Sequence, residues 1–247
     1  MIKIYTKISR PNAKLKLVCL HHVGGSAPMY LNWSHAIPEN IELSSIQLPG
    51  RGDLFKHEII DNIAIASQEV ATLLNTEIHL PYILFGHSLG ALLAYETICY
   101  LQKNKMPLPI HFIASGLSAP HKLKSLVRRH LLSNEELIQL LASYDKGRVE
   151  QSKVYFDLLE LLLPAVRGDF KMHDDYSYQQ SELMTCPVTA VAGDQDGFHV
   201  EENIRGWSEL TTNKFTYTLL PGGHMYLFDD QKVFLEWLNA TLLKISL

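Results

Sequence analysis

A mostly parallel α/β sheet, flanked by helices and carrying one helical insertion, is the fold class this sequence predicts, and three observations predict it. Short apolar runs of strand length alternate with stretches whose apolar residues recur at helical spacing. One run, Tyr82-Ile83-Leu84-Phe85, passes through Gly86-His87-Ser88-Leu89-Gly90 into the helix-forming Ala91-Leu92-Leu93-Ala94-Tyr95. Between residues 118 and 178 the alternation stops, and only helical patterns occur.

Residues 2–8 alternate as a first strand, and Arg10-Pro11-Asn12 is a turn signal. Residues 15–20 form a second strand, which runs into His21-His22-Val23-Gly24-Gly25-Ser26. A glycine pair just after a strand lets backbone N–H groups point into a cavity above the sheet. Residues 27–37 read as a helix with Trp33 packed inward, ended by Pro38. The strand over 41–48 closes on Pro49-Gly50-Arg51-Gly52, where Arg51 reads either as an anion contact or as a solvated loop arginine. Ile63, Ala66, Val70, Leu73 and Leu74 set a helix before the Tyr82 strand. The helix after Ser88 reaches residues 100–102, short of Pro107, and 110–115 is another buried strand.

Within the insertion, Ser133-Asn134-Glu135-Glu136 is a capping box, backed by the apolar face of Leu137, Leu140 and Leu141. A leucine-dense helix over 154–163 is expected to end at Pro164. Loops at the C-terminal ends of parallel strands face the ligand crevice, so this insertion reads as a lid. The α/β rhythm resumes with a strand over 187–192 that ends in Gly193-Asp194-Gln195-Asp196-Gly197. A helix over 201–210, a last strand over 215–220, Pro221-Gly222-Gly223-His224 and a closing helix over 230–245 follow. With no repeat, low-complexity tract or linker, one domain over 1–247 is expected, with the lid over 118–178.

Composition narrows the function classes. The chain has 247 residues, 47% of them hydrophobic, enough for a sizeable core, and its net charge of −4 gives no reason to expect nucleic acid as a partner. Three cysteines lie far apart without a C-x-x-C pair, which argues against a disulfide framework or zinc site and suits a reducing cytoplasm. The first residues lack a signal-peptide core, and no stretch reaches membrane-spanning length. The twelve histidines form no ligand pair at metal spacing. A cytoplasmic protein without bound metal or membrane partner is expected.

Gly86-x-Ser88-x-Gly90 in a strand–turn–helix context lifts a serine hydroxyl above the sheet, at the positive end of a helix. A serine is a poor nucleophile near neutral pH unless a base takes its proton, and the base needs an orienting acid. His224 directly follows the last strand, and Asp194 and Asp196 follow the one before it. The chain order Ser, Asp, His is that of the α/β hydrolases. Either aspartate can serve; Asp196 is preferred, because the turn needs a few residues beyond Gly193 to carry a carboxylate across. The N–H groups of Val23 and Leu89 are the candidate oxyanion donors.

Matching motifs run nearly end to end: His22-Val23-Gly24-Gly25-Ser26-Ala27, Gln47-Leu48-Pro49-Gly50-Arg51, Phe85-Gly86-His87-Ser88-Leu89-Gly90-Ala91, Leu161-Leu162-Leu163-Pro164 with Asp169-Phe170, and Pro221-Gly222-Gly223-His224. On these residues the chain resembles the type II thioesterases that accompany polyketide and nonribosomal-peptide synthetases. The resemblance implies an α/β-hydrolase fold with Ser88 as nucleophile, His224 as base, Asp196 as orienter, and Val23 and Leu89 as oxyanion donors. It also implies hydrolysis of acyl thioesters on the phosphopantetheine arm of a carrier protein, in an editing role and with no cofactor of the enzyme's own. His21, Val23, Leu89 and Gly52 depart from the family's usual Pro, Ala, Met and Glu, which bears on acyl preference. A carboxylester hydrolase and a non-catalytic acyl-binding relative are the rival readings. Lys122, Lys124, Arg128 and Arg129, clustered beside the predicted lid base, are candidate docking residues for an acidic carrier.

Overall fold

The computed structural model describes residues 1–123, 127–144, 153–197 and 200–245, with side chains for all of these except 153–159. The described strands are β1 (Lys3–Thr6), β2 (Leu15–Leu20), β3 (Ile41–Gln47), β4 (Tyr82–His87), β5 (His111–Ser115), β6 (Val188–Gly193) and β7 (Phe215–Leu220). They form one sheet in the order β1-β3-β2-β4-β5-β6-β7. Only β1 runs antiparallel to its neighbour; the five other pairings are parallel.

Strand β2 is apolar at nearly every position because both faces of the sheet are covered. Its residues divide by the two-residue period of a strand. Val18 and Leu20 pack with Val70 and Leu74 of α2 (Ile63–Glu77) and Leu92 and Ala94 of α3 (Leu89–Lys103). Leu17 and Cys19 pack in the opposite layer with Tyr30, Trp33, Phe234 and Leu238. Asn62 caps α2, accepting from the N–H groups of Ala64 and Ile65.

The helix expected over 27–37 is instead α1 (Pro28–Leu31) followed by a 3₁₀ turn over Asn32–His35. The tighter turn accompanies burial of Trp33, whose ring meets Tyr30, Phe85 and Phe234 edge-on or tilted at 4.9–5.5 Å.

Between β5 and β6 the described residues contain helices α4 (Asn134–Tyr144) and α5 (Lys153–Asp174) and no strand. The capping box at the start of α4 is formed: Ser133 N–H donates to Glu136 Oε2 at 2.8 Å, and Glu136 N–H to Ser133 Oγ at 3.2 Å. Helix α5 does not end at Pro164 but runs through it. A mid-helix proline costs about 3 kcal/mol. Here its ring faces solvent, and the cost is met by burial of Leu163, Ala165, Val166 and Phe170 around it. Helices α6 (Glu201–Arg205), α7 (Tyr226–Asp229) and α8 (Gln231–Ile245) complete the chain.

Candidate active site

The site begins where β4 turns into α3. A Cβ on Gly86 would lie 2.2 Å from the carbonyl oxygen of Gly90, and one on Gly90 would lie 2.2 Å from that of Leu20. Only glycine permits this crossing. Between them Ser88 adopts φ 54° and ψ −120°, a conformation that costs a side-chain-bearing residue about 1–3 kcal/mol. It is held there by the Ser88 N–H bond to Ser115 O (2.8 Å) and by the Ala91 N–H bond to Ser88 O (2.9 Å).

The loops after β6 and β7 are pressed together: a Cβ on Gly193 would lie 2.3 Å from Gly223 O. Asp194 and Asp196 then take different tasks. Asp194 Oδ1 accepts from the Gly222 N–H at 2.9 Å on the surface, tying the two loops. Asp196 Oδ2 lies 2.8 Å from His224 Nδ1, and His224 Nε2 lies 3.1 Å from Ser88 Oγ. The Asp196 side chain is 1% exposed and that of His224 8%. A buried carboxylate on Nδ1 keeps the proton there, leaving Nε2 of the neutral ring to accept from the serine hydroxyl. Beneath them His87 Nδ1 meets Ser115 Oγ at 2.8 Å, and Ser115 Oγ meets Tyr226 OH at 2.6 Å.

The His22–Gly25 stretch is a turn closed by the Gly25 N–H bond to His22 O (2.9 Å), with Gly24 at φ +70° as a type II turn requires. Val23 packs with Leu137, Leu163, Val166 and Phe170 of α4 and α5. Burial lowers the pKa of His21 and of His22 from 6.5 to about 3 each, so both rings are neutral. The Leu89 N–H is the first of α3, which places it at the helix end whose N–H groups lack intrahelical acceptors.

Three further groups stand at the site, of which Arg51 and Asp169 lie in the motifs of the family resemblance and Tyr144 does not. Of the two readings of Arg51, the solvated loop arginine fails: it is 3% exposed, and the anion it contacts is the fully buried Asp169 of α5. The grip is two-pronged, Nη1 to Oδ2 at 2.6 Å and Nη2 to Oδ1 at 2.7 Å. Asp169 Oδ2 also accepts from the Gly24 N–H at 2.8 Å, and Arg51 Nη1 donates to Gly25 O at 3.2 Å. Tyr144, at the end of α4, meets the His224 ring at a tilt of 43° with centroids 5.6 Å apart.

The basic cluster is less free than its sequence suggests. Lys122 pairs with Glu209 (3.1 Å), Arg128 with Asp175 (2.5 Å) and Arg129 with Asp174 (2.7 Å). The Arg129 guanidinium also stands 5.2 Å from the Phe170 ring centroid. Lys124 lies outside the described residues.

A family model described as a thioesterase domain matches residues 15–242. The chain belongs to the thioesterase family. It is 32% identical over 230 residues to the gramicidin S biosynthesis protein GrsT of Aneurinibacillus migulanus, covering 93% of this chain and 90% of that protein. It is 32% identical over 225 residues to the thioesterase PikA5 of Streptomyces venezuelae, covering 89% and 78%. Among solved structures, the type II thioesterase BorB from the borrelidin biosynthetic cluster superposes with a TM-score of 0.86 at 32% identity, covering 95% of each chain. The fold of this thioesterase is that of the α/β hydrolases, a mostly parallel sheet between helices. Among the described residues no helix is long and apolar enough to cross a membrane.

Proposed function

We propose that this thioesterase is a serine enzyme that hydrolyses acyl groups from the phosphopantetheine arm of a carrier protein. The observation that carries the reading is the Asp196–His224–Ser88 relay with Ser88 held at φ 54°. In the first half-reaction Ser88 Oγ attacks the thioester carbonyl while its proton passes to His224 Nε2. Asp196 stabilises the imidazolium, and the Val23 and Leu89 N–H groups hold the oxyanion. The pantetheine thiolate leaves, taking the proton from His224. Water then attacks the acyl-serine, again through His224, releasing the carboxylic acid and restoring Ser88. Each proton moves between groups of this chain, substrate and water, so the cycle needs no cofactor.

Residues 118–178 are the lid of this reading, within a single domain. Support comes from Tyr144 meeting the His224 ring and from the packing of α4 and α5 on Val23. Relatives named for gramicidin S biosynthesis and for the borrelidin biosynthetic cluster, the latter a type II thioesterase, support an editing role, the clearing of stalled acyl groups from synthetase modules. Of the basic cluster, Lys122 and Arg128 suit carrier docking better than Arg129, since their side chains are 35% and 63% exposed and that of Arg129 only 21%.

The test is a hydrolysis panel of carrier-bound acyl thioesters, free acyl thioesters and acetate esters, run with parent and Ser88→Ala. The reading requires carrier thioesters to be preferred, and a loss of about a thousandfold or more in the variant. Preference for free esters would point to a carboxylester hydrolase. A Ser88→Ala variant with parental turnover would remove the serine mechanism.

A further inference from the structure

We infer that Asp169 and Arg51 are positioning residues that clamp the Val23 N–H in place as an oxyanion donor. This rests on the reading of Ser88 and Val23 above. Three consecutive N–H groups, those of Val23, Gly24 and Gly25, emerge from the turn after β2. Those of Gly24 and Gly25 are committed, to Asp169 Oδ2 at 2.8 Å and to His22 O at 2.9 Å. Among the described residues the Val23 N–H has no acceptor, which leaves it available to substrate.

Its direction is fixed by the peptide units around it. A trans peptide points its N–H opposite to its C=O, so the bond from Gly25 N–H to His22 O sets where the Val23 N–H points. The next peptide is held by Asp169 through the Gly24 N–H, and the one after Gly25 by Arg51 through Gly25 O (3.2 Å). The turn is therefore gripped on both sides by one buried ion pair, which also ties α5 to the loop after β3. A buried pair is expensive to desolvate and is weak evidence for stability alone. What this pair adds is geometry, joining the loop after β3 to a helix whose carboxylate is 118 residues away in sequence.

The carboxylate is required by count. Two Arg51 N–H groups and the Gly24 N–H converge on the two oxygens of Asp169. An asparagine there has one acceptor oxygen and presents its own N–H to a donor, so at least one contact is lost and the loop shifts. A displacement of about 1 Å in a catalytic group costs roughly a hundredfold in rate.

The experiment is a double-mutant cycle between Asp169→Asn and Val23→Pro, read as kcat and KM on a free acyl-N-acetylcysteamine thioester, with melting curves for every variant. Proline suits the second position of a type II turn, so Val23→Pro deletes the N–H while keeping the turn. The clamp predicts a kcat lowered about a hundredfold in Asp169→Asn, with KM little changed, since an interaction used only in the transition state is lost. It also predicts that the double variant is no slower than Val23→Pro alone, because both changes act through one N–H. Losses that multiply, or Asp169→Asn with parental kcat, would overturn the clamp. If Val23→Pro keeps parental kcat while Ser88→Ala is inactive, the oxyanion assignment fails and the clamp with it. Should Asp169→Asn not fold, Arg51→Met/Asp169→Leu removes both charges together and enters the same cycle.

Discussion

Replacing Asp196 by asparagine tests the relay at its most informative point. Asp196 Oδ2 and His224 Nδ1 are 2.8 Å apart, and both side chains are almost wholly buried. The carboxylate at Nδ1 sets the ring's tautomer. An asparagine amide can donate to Nδ1, which moves the ring proton to Nε2, facing the Ser88 hydroxyl that it must accept from. The expected loss in kcat is about ten-thousandfold, roughly 5.5 kcal/mol of transition-state stabilisation. Asp194→Asn is the matched control. Its side-chain oxygen still accepts from the Gly222 N–H on the surface, so turnover should stay within about threefold of the parent. Thiol release from a free acyl thioester, followed by a thiol-reactive dye, gives kcat for both, and thermal melting checks the fold. An Asp196→Asn enzyme with more than a tenth of parental kcat would refute the argument, and a reversed pattern would hand the role to Asp194.

Three further outcomes are expected. Ser88→Gly should be inactive yet more stable by about 1 kcal/mol in urea unfolding, because glycine accepts φ 54° without strain; an unchanged or lowered midpoint would show that the turn is unstrained. His21 and His22 are held neutral, with pKa values of about 3 against 6.5 when unfolded, so the unfolded chain binds more protons between those values and stability falls as pH drops through that window. The slope should be about 1.4 kcal/mol per pH unit for each histidine; His22→Gln should flatten it by one proton between pH 6 and 4.5, and equal slopes in parent and variant would contradict the burial argument. Lys122→Gln/Arg128→Gln should lower kcat/KM on a carrier-bound thioester about threefold to tenfold, in a salt-sensitive way, and leave a free thioester unaffected. Equal behaviour on both substrates would dismiss docking.

Most of the sheet was readable because burial of both faces writes itself as short apolar runs. Leu15–Leu20 and Phe215–Leu220 appear as strands at the expected bounds. Ser88, Asp196 and His224 were readable for a different reason. Each sits in a glycine-bearing turn at the end of a parallel strand, where the sheet can bring them together, although the residues left Asp194 open beside Asp196. What escaped reading depends on packing rather than pattern. Pro164 looks like a helix end until Leu163, Val166 and Phe170 are seen buried around it. Arg51 was legible as an anion contact or a solvated arginine but its partner was not, since Asp169 is brought to it only by the folding of α5 over the loop. Tyr144 likewise meets His224 only through the placement of α4.

The contact between Gly90 and the carbonyl oxygens of Leu20 and His21 has an evolutionary consequence. There is no room there for a single methyl group, so the strand bearing the Val23 turn and the helix bearing Ser88 cannot be respaced by substitution. Descendants adapting to a longer or bulkier acyl chain must leave this joint alone and alter what surrounds it. The leucines of α4 and α5 packed around Val23 lie outside this joint, so a change in their size costs packing in their own cluster and leaves the glycine crossing as it is. The joint is thus inherited as one fixed casting, and change falls on the side chains fitted around it.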